Sequence, residues 1–537
     1  MNALRRRFLP GETSLTGEAP AGVRLACRCL AWLGLAAAFF MTSWFLRGHV
    51  DLLLDSDEAS ELLLGKLLAE KGGVLSRDWY YSTELRVLSS NLLTAPLFRL
   101  TDSWHAVRVW MLRISCVWML LSYLLYGKSV EGRRYFVVFG VMLMLPFSYD
   151  YYAYTLKGGY YFFHIAVIFL TLALGEVFLR EKRRLRRVTA LAAGTVLAVL
   201  TGMGGPRLLL LLYLPLLAAA LADLPGRFRH SDRSWLLYTA AGCFGCGFGY
   251  ALNRLVLAKR YAFYLWDEFS LSAPDLDRLR TLLRDFVGGF GYRDGAPLSN
   301  MLSLLWLGLT VCAILHALRH REAAGGSPRR LALCMLFAFG FFAAVYTFTD
   351  LYYISRYNLT IVVLSIPLLA WFFALSDRKK AAAQLLILVL VGGFSFLGVR
   401  FYQAEGEKNA TGPLRKVGQF LVDHAYTQGY STFWNGNVLT ELTNGEIEVW
   451  CWTADAEKFP EVETPDDLYL WLQVKRHSTS VPEGKLFMIL TLPEFELCSW
   501  GERLREEDVV YRIGQYTVFG YDSHDEMLAI LCPDRPA

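Results

Sequence analysis

Three carboxylates stand within four residues at Asp55-Ser56-Asp57-Glu58, just past the first long apolar run of the chain. Ionised groups so close to hydrocarbon are costly to hold, and in membrane proteins they mark bases, cation ligands or proton carriers. A carboxylate there is placed to take a proton from an acceptor hydroxyl. The same residues also read as a helix start. Asp55-x-x-Glu58 has capping-box spacing, and acidic groups in a first turn complement the helix dipole. Both readings hold together if Asp55 caps and Asp57 faces a cavity, with Glu58 as the adjacent alternative base.

Arginine is the preferred partner for an anion, because its planar fork grips two oxygens at once. Arg356 opens an apolar run in Ser355-Arg356-Tyr357, Arg207 follows the glycine-rich turn 202–206, and Lys157 sits in the tyrosine-rich stretch 150–160. Each has a structural reading as well. Arg356 could pair with Asp350 or snorkel to the interface, and the tyrosines could form an interfacial aromatic belt or a sugar platform. Glu84 and Arg86 are candidates to orient an acceptor or to pair with each other. Asp150 is a candidate to join Asp57 around a divalent cation, the one cofactor the residues suggest. His164 and Glu176 fall inside apolar runs, and His164 reads most simply as a satisfied core histidine. Cys243 and Cys246 lie in a glycine-rich run, where small residues let helices approach closely.

The elements that must position these groups are membrane spans. Of 537 residues 54% are hydrophobic, and the mean hydropathy is +0.32, far above a soluble domain. Eleven apolar runs are expected to be helices: 25–47, 106–126, 135–148, 160–179, 188–204, 207–222, 235–257, 298–318, 331–348, 358–375 and 381–400. Most approach the roughly 20 residues that cross about 30 Å of hydrocarbon. The first begins too late and runs too long for a cleavable signal peptide. Lys and Arg crowd the alternate loops 127–134, 180–187, 223–234, 319–330 and 376–382, with Arg5, Arg6 and Arg7 ahead of the first run. The short intervening loops hold only Lys157, Arg207 and Arg356. The positive-inside rule then makes the N-terminus cytoplasmic and, with an odd number of spans, sets the tail outside. A multi-pass protein of the plasma (inner) membrane is expected.

Charge divides the chain in the same way. Residues 1–400 carry 43 Lys+Arg against 26 Asp+Glu, and residues 401–537 carry 11 against 23. The basic part is a topology signal rather than a nucleic-acid footprint, so the partners are membrane lipids and whatever meets the outer face. Three regions follow: a cytoplasmic segment 1–24, a polytopic domain 25–400 with long outer loops 48–105 and 258–297, and a soluble α/β domain 401–537. The first loop contains a Leu/Lys/Glu segment, 61–71, expected as a helix along the membrane surface. The second contains Trp266-Asp267-Glu268, an amphipathic segment 275–286, and Gly288-Gly289-Phe290-Gly291, read as a hinge or an ordinary loop exit. In the tail, 414–425 and 437–442 read as helices, and 431–434, 447–450, 485–490 and 511–521 as β-rich. No nucleophile elbow, P-loop or dinucleotide fingerprint occurs there.

A first span, an outer loop opening with Asp57-Glu58, about ten more spans and an extracytosolic α/β tail together resemble the C-type glycosyltransferase (GT-C) superfamily. Within it the chain is similar to the protein mannosyltransferases and aminoarabinose transferases that use lipid-linked sugars. Glu84 and the Arg356-Tyr357 pair are similar to residues in those relatives. Their Pro-Pro-Leu pattern is absent, Thr94-Ala95-Pro96-Leu97 being the nearest match. The resemblance implies a polyprenyl-phosphate-linked sugar donor, a protein, lipid or polysaccharide acceptor, and inverting transfer on the outer face. Such a reaction needs a base, a cationic seat for the leaving phosphate and an apolar groove. Asp57 or Glu58 would be the base, Arg356, Arg207 and Lys157 the phosphate seat, and Glu84, Arg86 and Tyr357 the acceptor side. The rival reading is a transporter or flippase, or a non-catalytic cell-envelope assembly protein, although no internal repeat favours transport.

Overall fold

The computed structural model describes residues 21–82, 85–130, 133–223, 230–264, 270–320, 326–375, 380–453 and 456–533. Glu84, Trp266-Asp267-Glu268 and the loop cations Arg5, Arg6, Arg7, Arg227, Arg229, Arg321, Arg378 and Lys379 lie outside the described residues.

The protein is a multi-pass helical membrane protein with a mixed sheet near its C-terminus. Among the described residues nine helices are long and apolar enough to cross a bilayer, and they coincide with nine of the eleven expected runs. The other two are helical but different in form. The run at 135–148 is the first arm of a bent pair, Tyr135–Met144 and Tyr149–Lys157, meeting at 82°. Pro146 lies in the break, where it cannot donate a helical hydrogen bond. Ser148 then starts the second arm, its Oγ accepting from Tyr151 N at 3.2 Å. The run at 207–222 yields a shorter apolar helix, Leu209–Ala222.

Four membrane helices matter to the argument below: α1 (Ala21–His49), α4 (Trp104–Ser129), α5 (Tyr160–Arg180) and α6 (Arg184–Gly202). Between α1 and α4 the first loop folds into α2 (Ser56–Lys71) and α3 (Asn91–Phe98). Helix α7 (His230–Leu252) packs on α6 through small residues. A Cβ on Gly202 would fall 1.9 Å from the Cys246 carbonyl oxygen, and one on Gly249 would fall 2.0 Å from that of Val199. The glycines around Cys243 and Cys246 therefore serve close helix approach, as expected of small residues at such a crossing.

The tail builds a five-stranded sheet in the spatial order Glu448–Trp452, Gln428–Thr432, Leu486–Thr491, Tyr516–Tyr521, Val509–Ile513. The first three of these are parallel, while Tyr516–Tyr521 and Val509–Ile513 form an antiparallel edge. The expected strand at 431–434 starts earlier and stops at Thr432, because Phe433 begins the helix Phe433–Leu442. Val449, Cys451, Phe487 and Ile489 pack on one face of the sheet, and Trp450, Trp452, Leu486 and Met488 on the other. Burial on both faces explains why these strands read as unbroken apolar runs.

One expectation is corrected, and of two open readings the ordinary loop exit is favoured. The helix at 61–71 does not lie against lipid with its leucines. Leu62 and Leu68 are wholly buried against protein, and α2 is enclosed by α3 on one side and by helix Phe433–Leu442 on another. The glycines at 288–291 close a packed turn, Gly291 (φ +99°) sitting where a Cβ would meet the Phe147 carbonyl oxygen at 2.2 Å.

The α6–α7 contact gives a direct test. Gly202→Val is expected to lower the stability of the detergent-solubilised protein by about 1–3 kcal/mol or more, as overpacking against backbone does. Gly247→Ala, on the facing helix α7 with open space around its Cα, is expected to leave the melting temperature unchanged or slightly raised.

Candidate active site

The chain leaves α1 through a short turn and enters α2 at Asp55, an extended residue (φ −121°, ψ 167°) whose carboxylate accepts from Glu58 N at 3.0 Å. Asp55 is thus the helix cap. Capping turns the next two acids in different directions. Glu58 is 1% exposed and points into protein, where Lys157 Nζ lies 2.7 Å from its Oε1. The same ammonium donates to the Leu53 carbonyl at 2.7 Å and lies 3.5 Å from Asp55 Oδ2. Burial first, and the neighbouring Asp55 charge second, push the Glu58 carboxyl above its ordinary range, against the pull of Lys157 and Arg108. Glu58 and Lys157 therefore occupy each other, and neither is among the residues lining the cleft described next.

Asp57 faces an open cleft. It makes no hydrogen bond or ion pair with the described residues. Its carboxyl is raised to about 6, chiefly by burial and then by the Asp55 charge, with Arg356 and Arg86 opposing. Glu61, one helical turn on, lines the same cleft and accepts a hydrogen bond from Ser90 Oγ. The i, i+4 spacing of Asp57 and Glu61 places both on one face of α2. That spacing was the available sequence signal for Glu61.

Three guanidinium groups share the cleft with these acids: Arg86 from the first loop, Arg207 from the turn after α6, and Arg356 from the 3-10 turn Ser355–Asn358. Aromatic rings hold two of them. Arg207 lies 5.5 Å from the ring centre of Tyr161 and 4.9 Å from that of Tyr357, and donates to Tyr161 Oη at 3.3 Å. Arg356 lies 4.7 Å from the ring centre of Tyr154, a cation–π seat that leaves its donors free for an anion. It does not pair with Asp350, whose carboxylate bonds Ser270 instead. Among the described residues neither Arg86 nor Arg356 forms a hydrogen bond or an ion pair.

The tyrosine-rich stretch is not an interfacial belt. Tyr151 and Tyr152 are buried in the membrane core, and Tyr160 and Tyr161 line the cleft. Asp150 bonds Ser355 and is not a cleft residue. Among the described residues no group of three His, Cys, Asp or Glu is placed to hold a metal ion. His164 stacks on Tyr161 and is bonded to the Tyr160 carbonyl, a satisfied position. The remaining walls include Trp79, Tyr81 and Ser82, from the aromatic and charged stretch 77–86 that reads in sequence as suited to a cavity rim, together with residues that carry no such signal: Ser89 and Asn91 of the first loop, and Trp471 and Leu472 of the tail. Their assembly depends on long-range contacts that leave no local pattern.

Comparison with known proteins places this arrangement in a fold. No protein-family model and no curated protein matches the sequence. Solved structures do match. ArnT from Cupriavidus metallidurans bound to undecaprenyl phosphate aligns at TM-score 0.59 and 12% identity, over 94% of this chain and 98% of that one. The apo state of ArnT aligns at TM-score 0.54 and 12% identity, over 92% and 98%. The Archaeoglobus fulgidus oligosaccharyltransferase complexed with Zn and sulfate aligns at TM-score 0.49 and 13% identity, over 87% and 70%. The chain is a polytopic membrane protein with a GT-C-like fold.

The Glu58–Lys157 pair makes a test of local electrostatics. Lys157→Met strands a buried carboxylate and is expected to cost about 3–5 kcal/mol near pH 8. Because burial raises the Glu58 pKa above its unfolded value, the folded state binds the proton more tightly. The loss is therefore expected to shrink as pH falls, and Glu58→Gln in the same chain is expected to restore most of it. Thermal unfolding of the unaltered protein and the two variants across pH 5–8 measures both effects.

Proposed function

We propose that the protein is a membrane glycosyltransferase that moves a sugar from a polyprenyl-phosphate-linked donor to an acceptor on the outer membrane face, with inversion. One observation carries the reading. Asp57, raised to about 6 and without a partner among the described residues, opens on the same cleft as Arg86, Arg207 and Arg356. A base near neutrality and a cluster of guanidinium groups are what the two ends of such a displacement require. The GT-C-like fold supports the class, and the ArnT structure bound to undecaprenyl phosphate supports a lipid phosphate as the anion.

Asp57 takes the proton from the acceptor hydroxyl as its oxygen attacks the anomeric carbon. The bond from that carbon to the phosphate oxygen breaks, and the guanidinium groups receive the phosphate with its new charge. Arg356 and Arg207 are the phosphate seat, each stiffened by the tyrosines beneath it. Arg86 stands nearer the acceptor side, with Glu84 as the expected orienting partner and Tyr357 supporting Arg207. Glu58 and Lys157 take no chemical step. They fix the start of α2 and so the direction of Asp57. A divalent cation at Asp57 would have Glu61 as its second carboxylate, since Asp150 is not in the cleft. With two carboxylates against three arginines, the arginines supply the positive charge in this scheme. The basic loops support a plasma-membrane placement with a cytoplasmic N-terminus and an outer tail.

Mass spectrometry of surface glycans and lipids in a deletion strain would identify the product. In that strain Asp57→Asn is expected to restore expression but to lower transfer by about 10²–10⁴-fold. Transfer by the unaltered protein is expected to fall as pH drops through about 6, since the base works only when ionised. Normal product with Asp57→Asn would sink the reading, and altered uptake or efflux with unchanged glycans would favour transport.

A further inference from the structure

Leu472 is one of three non-glycine residues with positive φ among the described residues, at +51°. A side chain branched beyond Cβ gains nothing locally in that region, which glycine and asparagine adopt more readily. Such a conformation persists only where surrounding contacts impose it, and it clusters at ligand-binding positions.

The contacts that impose it are specific. Asn437, buried on the tail helix Phe433–Leu442, donates to Ser60 Oγ of α2 at 2.7 Å and accepts from Gln473 Nε2 at 3.0 Å. Its amide also reaches the Leu472 carbonyl at 3.5 Å. Beyond Leu472 the chain is pinned to the first loop, with Tyr80 N donating to the Gln473 carbonyl at 2.9 Å and Trp79 bridged to Val474. Before it, Trp471 meets Tyr264 of the second outer loop edge-on, with ring centres 6.5 Å apart at 89°. The tail segment is thus locked to both outer loops and to α2, and the residues it presents to the Asp57 cleft are Trp471 and Leu472.

The cleft contains two kinds of lining. Residues near the spans supply guanidinium groups and tyrosines. Beyond α2 and its two acids, the first loop and the tail supply indoles, hydroxyls and an amide, with no cation besides Arg86 among the described residues. Neutral hydrogen-bonding groups beside an aromatic ring suit a sugar, which has an apolar C–H face and a rim of hydroxyls. We propose that Trp471 and Leu472 form the wall that faces the transferred sugar ring, and that the left-handed Leu472 backbone exists to present it. This assignment rests on the glycosyltransferase reading. It adds that the tail contributes directly to substrate recognition, on the side away from the lipid phosphate.

The test exploits the backbone. Leu472→Gly removes the wall side chain at a position where glycine relieves strain, so that relief offsets lost packing and the melting temperature is expected to stay within a few degrees. Trp471→Leu keeps apolar bulk but loses the ring, and Trp471→Phe keeps a ring. Each variant is expressed at full length in the deletion strain, and the glycan or lipid product is quantified by mass spectrometry. Each is also purified for melting and for binding of undecaprenyl phosphate, the probe without a sugar. The expected result is a tenfold or greater loss of product for Leu472→Gly and Trp471→Leu, recovery with Trp471→Phe, and lipid-phosphate affinity within about twofold of the unaltered protein throughout. Unchanged product overturns the assignment, as does product that falls only together with melting temperature and lipid binding. If Asp57→Asn abolishes product while the wall variants retain it, this inference alone fails. If Asp57→Asn retains product too, the glycosyltransferase reading fails and carries this one with it.

Discussion

The arrangement depends on one buried cation, Arg108. It lies on α4 with no solvent exposure and grips both carboxylate oxygens of Glu441 on the tail helix Phe433–Leu442. Its remaining reach goes to the Glu58 carbonyl of α2, at 2.9 Å. A membrane span, the acid-bearing helix and the tail are therefore joined at a single guanidinium. Neither charge of such a pair survives alone in a low-dielectric interior, because stranding one costs far more than the pair contributes. The tail is held to the spans by a contact that is either complete or very unfavourable. The tail core reinforces this, since Leu54 and Ala59 from the start of α2 pack inside it.

Around that anchor, the three acids at the start of α2 are given different environments by helical geometry. Asp55 is spent on the backbone, and Glu58, three residues on, turns inward to Lys157. Asp57 projects to another side of the helix and meets the cleft. Its raised pKa follows from that position: it is partly desolvated, it stands near another carboxylate, and it has no cation in contact to restore it. Lys157 would lower it if it paired with Asp57. Because Lys157 is held by Glu58 and the Leu53 carbonyl instead, Asp57 remains basic near neutrality. Glu58 of the buried pair and Asp57 thus share the first turn of α2 but occupy different environments.

This explains what was legible in the sequence. The spans were, because 20 apolar residues in a row have few soluble uses, and the two irregular ones differ at Pro146 and in a run too short to pass alone. The cap was legible, as Asp55 has the right residue three positions before Glu58. The separation of Asp57 from Glu58 was not, because it depends on Lys157 arriving from a helix about a hundred residues away. The leucines at 61–71 show the same limit. Helical periodicity reports an apolar face but not whether lipid or protein covers it, and here α3, α4, the rest of the first loop and the tail cover it. The tyrosines at 150–160 misled for a related reason, since an aromatic belt and a set of cation seats have the same composition.

The cleft itself is made where separate segments meet: α2, the remainder of the first loop, the start of α5 at Tyr160 and Tyr161, the turns bearing Arg207 and Arg356, and the tail at Trp471 and Leu472. Such a site has a consequence for variation. Each wall is set by a different stretch of chain, so the cationic side can be kept while the loop and tail side changes, provided the Arg108 anchor and the Ser60–Asn437–Gln473 network keep the segments in register. At about 12% identity to ArnT the GT-C-like fold persists, which requires that packing rather than any shared sequence maintain it. What meets at the cleft of this chain is local: a capped helix carrying Asp57, guanidinium groups seated on rings, and a buried ion pair holding the tail against the spans.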